Sequence, residues 1–130
     1  SRRYDTTSER AIIGESLAGL FVVETLLLSP GMFDTYIAVD PSVWWNRYAL
    51  TESAPVLLKE NNARNKALFI AAGREAAAAP RFGEFVATLR EQQQRLRFTY
   101  VPMPGETHAT LYHPAAMKAF RTLFPARKEN

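Results

Sequence analysis

A serine flanked by small residues, a histidine far downstream and a carboxylate between them are the side chains in this 130-residue sequence that could do chemistry together. Ser16 lies in Gly14-Glu15-Ser16-Leu17-Ala18, between the short β-type run Ala11–Ile13 and a long apolar run, Leu17–Leu28. A strand that turns sharply into a helix at a serine is a nucleophile elbow. Small residues two positions either side, here Gly14 and Ala18, let the bend close. A serine hydroxyl is a weak nucleophile at neutral pH and needs a base near neutrality within hydrogen-bond reach, the task an imidazole performs. The imidazole in turn needs an acceptor to fix its tautomer. The chemistry is acyl transfer through a covalent intermediate. The competing structural reading is an ordinary strand-to-helix turn with Ser16 as its N-cap.

Two histidines are available. His108 follows a strand-like run and the loop Gly105-Glu106-Thr107, whereas His113 precedes Pro114 at the mouth of a helix and reads as a surface or capping residue. For the acid, Glu75 is the first choice, two residues beyond Gly73 at the end of the strand before the histidine-bearing one. Asp40 is the alternative, although Asp40-Pro41 also reads as a turn; Glu106 is the third, and a Ser-His dyad without an acid is the fourth. The order serine, acid, histidine is that of the α/β-hydrolases. The helix N-terminus after the serine offers unpaired N–H groups to an oxyanion. Ser42, Trp44 and Trp45 follow a strand end where a substrate pocket would lie, Trp44 foremost, and are expected to line it; plain core packing is the competing fate of the two tryptophans. Glu15, beside the nucleophile, is expected to point away from the site and pair with a basic group at the sheet's edge.

The elements that must position these residues alternate. Strands are expected at 10–13, 35–39, 66–72 and 97–101, and helices at 17–29, 49–62 (broken by Pro55), 81–96 and 114–124. Residues 43–46 and 74–80 read as loops and 125–130 as a fraying tail. Val56, Leu57 and Leu58 are expected inward on the second helix, and Ala115, Met117, Ala119, Phe120 and Leu123 form the expected buried set of the last. The first helix is apolar nearly all round, which predicts burial on several sides. Short strands apolar on both faces, each followed by a helix, predict a parallel sheet flanked by helices. Function then collects beyond the carboxyl ends of the strands, where Ser16, Asp40, Glu75 and His108 fall in turn.

Composition narrows the partners. A net charge of +3 with scattered basic residues and no basic-aromatic stripe argues against nucleic-acid binding. With no cysteine, there is no disulfide, thiol nucleophile or thiolate metal site. No metal and no organic cofactor is expected. The longest apolar run is interrupted by Glu24 and is too short to span a bilayer. Residues 1–5 are polar, without the apolar run of a signal peptide, and the sequence leaves the compartment open between cytoplasmic and periplasmic or secreted.

Several stretches together resemble one family. Gly14-Glu15-Ser16-Leu17-Ala18-Gly19-Leu20-Phe21, then Phe33-Asp34-Thr35-Tyr36-Ile37-Ala38-Val39-Asp40-Pro41-Ser42-Val43-Trp44-Trp45, Gly73-Arg74-Glu75, Gly105-Glu106-Thr107-His108 and Phe120-Arg121-Thr122-Leu123-Phe124 are similar, in order, to the Putative esterase family of α/β-hydrolases. That family includes the S-formylglutathione hydrolase (esterase D) type, enterobactin and salmochelin esterases and feruloyl esterases. The resemblance implies Ser16 as nucleophile, His108 as base, Glu75 as acid, the Leu17 N–H as one oxyanion donor, and a small-molecule ester as substrate. Two residues depart from the pattern: Glu15 stands where relatives near the siderophore esterases have histidine, and Ala18 where they have glycine. The family also carries strands before the elbow that supply the second oxyanion donor. The expectation is therefore a single partial α/β-hydrolase domain over 1–130, the C-terminal half, pairing with an N-terminal half or with a second copy. An idle esterase-like half-domain used in binding or assembly, and an acyltransferase using the same residues, are the alternative functions.

Overall fold

The computed structural model describes residues 9–61, 63–91 and 96–125, with the side chains of 45–49 and 51 outside that description. Four strands, β1 (Ala11–Glu15), β2 (Thr35–Val39), β3 (Ala67–Ala72) and β4 (Arg97–Pro102), form one sheet in the order β1-β2-β3-β4. All three pairings are parallel, with Gly14 opposite Ala38, Ala38 opposite Ile70, and Ile70 opposite Tyr100. The central strands β2 and β3 are buried along their whole length, as apolar runs covered on both faces must be. Strand β1 is an edge strand and only partly buried, against the expectation of a buried strand there.

Helices α1 (Leu17–Leu28), α2 (Trp45–Glu60) and α4 (Pro80–Arg90) share one core with the sheet face carrying Tyr36, Ala38, Leu68 and Ile70. Helix α5 (Tyr112–Leu123) covers the opposite face through Ala115 and Ala119 against Ile37, Val39, Phe69 and Ala71. A short helix, α3 (Arg74–Ala78), follows β3, and a 3₁₀ turn at Pro30–Met32 follows α1. Tyr36 anchors that turn from the core: its hydroxyl donates to the Pro30 carbonyl (2.9 Å) and accepts from the Phe33 N–H (3.1 Å). Burial pushes the Tyr36 phenol above its ordinary pKa.

Several sequence expectations need correction. Pro55 does not break α2, which runs through it: Leu50, Ala54 and Leu58, four apart, bury one stripe. That anchoring offsets the ~3 kcal/mol an interior proline costs a helix. Val56 faces outward rather than inward, two residues and about 200° round the helix from Ala54. Residues 45–46 belong to α2 and 74–78 to α3, not to loops. Helix α4 stops at Arg90, and residues 92–95 lie outside the described ones. On α5, Ala115, Ala116 and Ala119 are inward while Met117 and Phe120 are exposed, because the small residues permit close approach to the sheet. Helix α1 is not buried on all sides either: Leu17, Phe21 and Leu28 form an exposed apolar stripe. Among the described residues no helix is long and apolar enough to cross a membrane.

Candidate active site

The bend between β1 and α1 is built by close approach. A Cβ added to Gly14 would stand 2.5 Å from the Ala18 carbonyl oxygen, and one added to Gly19 would stand 3.1 Å from the Gly14 oxygen. The glycines at 14 and 19, with Ala18 between helix and solvent, are what allow the turn to close. The bend drives Ser16 to φ 59°, ψ −120°, a region a serine enters only under strain of about 1–3 kcal/mol. The backbone around it is fully engaged: the Ser16 N–H donates to Val39 (2.9 Å), and its carbonyl accepts from Leu20 and Ser42 (3.0 Å each). Three backbone bonds therefore hold the strained residue between β2 and α1. Ser16 stands at the N-cap position of α1 but makes no side-chain capping bond, so its hydroxyl is not spent on the helix. The N–H groups of the first helical turn, Leu17's included, lack intrahelical acceptors.

Asp40 follows β2 at φ 46° and is 7% exposed. Aspartate tolerates this left-handed region better than most residues do. Its N–H donates to Ala71 (2.8 Å), and its Oδ1 accepts from the Gly73 N–H at the end of β3 (2.8 Å). Its Oδ2 lies 2.7 Å from His108 Nδ1. A carboxylate so placed holds the ring proton on Nδ1, which leaves Nε2 as the basic nitrogen of the neutral imidazole. The His108 side chain is 58% exposed.

Ser16, Asp40, Ser42, Trp44, Glu75 and His108 line a single cleft of about 350 Å³, together with apolar residues from the loop after β2 and from α3 and α4. The sheet accounts for the convergence: each of these residues lies past the carboxyl end of a strand. The structure differs from the sequence reading over the acid. Glu75, the first choice, sits exposed on the first turn of α3; it lines the cleft but makes no hydrogen bond to His108, whose carboxylate partner is Asp40. The β3-to-α3 turn holds the Gly73 N–H on Asp40 instead and directs the following residue into the helix. Glu106 serves through its backbone, accepting from the Arg74 N–H (2.9 Å). His113 is exposed on α5 and is not among the cleft's lining residues.

Trp44 lines the cleft and is exposed rather than packed in the core. The side chain of Trp45 lies outside the described residues. Ser42 lines the cleft at 3% exposure, with its hydroxyl oxygen 3.2 Å from that of Ser16. Glu15 is half-buried, does not line the cleft and forms no ion pair among the described residues, so the basic partner expected for it is not found. Among the described residues no group of three or more histidine, aspartate or glutamate side chains is placed to hold a metal ion.

A parallel sheet flanked by helices, with a serine at a strained strand-to-helix bend and a histidine arriving after the last strand, is the arrangement of the α/β-hydrolases. The chain belongs to the family described as Putative esterase, whose model matches residues 1–127. It is 32% identical over 129 residues to ferri-bacillibactin esterase BesA of Bacillus subtilis, a match covering 92% of this chain and 45% of BesA. Among solved structures it is similar to the siderophore hydrolase EstB from Aspergillus nidulans (TM-score 0.70, 25% identity, 93% of this chain and 52% of that one). It shares its fold with an IroE-like serine hydrolase from Shewanella oneidensis (TM-score 0.75, 22% identity, 91% and 41%). The chain spans about half the length of the relatives it matches.

Proposed function

We propose that this chain carries the reacting groups of a serine hydrolase that cleaves carboxylic esters through an acyl-enzyme. Ser16 is the nucleophile, His108 the base and Asp40 the acid. The observation that carries the reading is one cleft lined both by a serine held at φ 59° and by a histidine bonded to a buried aspartate.

In this reading His108 Nε2 accepts the Ser16 proton as Oγ bonds to the ester carbonyl carbon. The carbonyl oxygen becomes an oxyanion, stabilised by N–H groups at the start of α1, Leu17 first. The tetrahedral centre collapses, the C–O bond to the alcohol breaks, and His108 returns the proton to the departing oxygen. Water, deprotonated by the same imidazole, then attacks the acyl carbon and releases the acid, and the proton goes back to Ser16 Oγ. Asp40 keeps the tautomer fixed throughout and stabilises the imidazolium. Trp44 and the apolar cleft residues would hold the substrate's carbon skeleton. The ester bond of a siderophore is the substrate class that the names of BesA and EstB carry to this chain.

The test is covalent labelling of the intact chain with a fluorophosphonate, which needs a nucleophilic serine beside a working base. The expected result is one label, on Ser16, lost in Ser16→Ala and in His108→Ala. A folded protein that takes no label at Ser16 overturns the reading in favour of a non-catalytic binding or assembly unit. Competition between water and added alcohols for the acyl group separates hydrolysis from acyl transfer.

A further inference from the structure

Ser42 has the most confined hydroxyl of the cleft. It is 3% exposed, and its backbone N–H already donates to the Ser16 carbonyl at 3.0 Å. Its Oγ is 3.2 Å from Ser16 Oγ, the one hydrogen bond its hydroxyl makes among the described residues. Either oxygen could be the donor in that contact. The surroundings decide between them. A buried hydroxyl carries one proton that must find an acceptor or cost stability. For Ser42 that acceptor is Ser16 Oγ. Ser16 is only half-buried and opens on the cleft that His108 lines, so its own proton is free to turn into the cleft.

We propose that Ser42 is a second hydrogen-bonding group on the nucleophile: its hydroxyl donates to Ser16 Oγ and leaves the Ser16 proton for the base. This deepens the serine-hydrolase reading and rests on it. At rest the contact is long for an O–H···O bond, whose common length is about 2.7–2.8 Å. As His108 draws the proton away, Ser16 Oγ gains negative charge, and an O–H···O⁻ bond is shorter and roughly twice as strong. Once the oxygen is bonded to the acyl carbon, the charge and the added strength are gone. The interaction is strongest in the transition state, which is the condition for it to raise the rate rather than tighten binding. The proton balance is unchanged, since Ser42 keeps its proton in every step and only the Ser16 proton travels to His108. Ser42 is thus assigned to the reacting oxygen as well as to the wall of the substrate pocket.

The experiment compares fluorophosphonate labelling of Ser16 in the wild-type chain with Ser42→Ala, Ser42→Cys and Ser42→Thr, each checked for its melting transition. Loss of the donor is expected to slow labelling about tenfold in Ser42→Ala, below the larger effect of losing an oxyanion-hole donor. Ser42→Cys, similar in volume but a weak donor, is expected to fall between. Ser42→Thr, which keeps a hydroxyl, is expected to recover labelling to within about threefold. If Ser42→Ala does not fold, the cysteine and threonine variants carry the comparison. Wild-type rates in the alanine and cysteine variants, or a folded threonine variant as slow as cysteine, overturn the proposal while the serine-hydrolase reading stands. Absence of label in the wild-type chain overturns both.

Discussion

His108 and Asp40 are 68 residues apart in sequence and 2.7 Å apart at Nδ1 and Oδ2, and the carboxylate's second oxygen is held by the Gly73 N–H. Two of the four strand ends therefore converge on one buried carboxylate, which in turn orients an exposed imidazole. Asp40→Asn keeps the shape and removes the charge. In the serine-hydrolase reading it lowers kcat about 10²- to 10⁴-fold, because the ring's preferred tautomer and the stabilisation of its cation are both lost. Glu75→Gln removes a carboxylate that lines the same cleft without a hydrogen bond or ion pair to the imidazole, and is expected to cost less than tenfold. Ester hydrolysis and fluorophosphonate labelling of the two variants side by side check the assignment. The opposite ranking would return the acid to Glu75.

The difficulty of choosing between those two carboxylates from sequence has a physical cause. Asp40-Pro41 at the end of an apolar run looks the same whether it merely turns the chain or aims a side chain. What distinguishes the cases is a left-handed φ at Asp40 and a donor arriving from β3, neither of which is local. The four strands were legible because each contains a short apolar run, with Asp40-Pro41 and Gly73 closing β2 and β3; β1 continues through Gly14 and Glu15, past the glycine that reads as its end, and Pro102 is the last residue of β4. That Ser16 and His108 would face one cleft was legible because strand ends in a parallel sheet gather at one edge. Helix faces were harder. Helix α1 is so uniformly apolar that no periodicity singles out Leu17, Phe21 and Leu28 as its exposed side, and on α5 the alanines, not the larger residues, take the inner face. The alanine-rich stretch after Gly73 gives no hydrophobic period at all, yet its helix propensity is high enough for α3 to form over five residues.

Asp34 ties three strand starts together at the end of the sheet opposite the cleft. It accepts from the Arg10 N–H (2.9 Å) and from Lys66 Nζ (3.2 Å), and its carbonyl accepts from Ala67 (3.0 Å). The Arg10 backbone bond first, and then Lys66, hold its carboxyl below the usual 3.8. A carboxyl whose pKa is lower folded than unfolded contributes stability above its unfolded value and loses it as pH falls through the folded one. The contribution is therefore complete above about pH 5 and fades below pH 4. Urea midpoints of wild type and Asp34→Asn should differ at pH 7 and converge as the pH is lowered to 3. Parallel curves over that range would show that the carboxylate's charge adds nothing.

The bend itself makes the last prediction. A methyl group at position 14 would meet the Ala18 carbonyl oxygen at 2.5 Å and its carbon at 2.7 Å, both backbone atoms that cannot rotate away. Helix α1 must then shift off β1, and with it the Ser16 N–H bond to Val39 and the Ser42 N–H bond to the Ser16 carbonyl. Overpacking of this kind costs about 1–3 kcal/mol, which for a chain this size lowers Tm by several degrees. Gly31 is the control, since a Cβ there meets nothing within 4 Å and its φ is not positive. Gly31→Ala should leave Tm within a degree or two, as a surface change of about ±0.5 kcal/mol does. Calorimetry on the two variants tests the packing. Fluorophosphonate labelling of Gly14→Ala below its melting transition tests the link to chemistry, because a bend that has opened no longer holds Ser16 at φ 59° over the helix N-terminus, and its labelling should fall further than its stability alone accounts for.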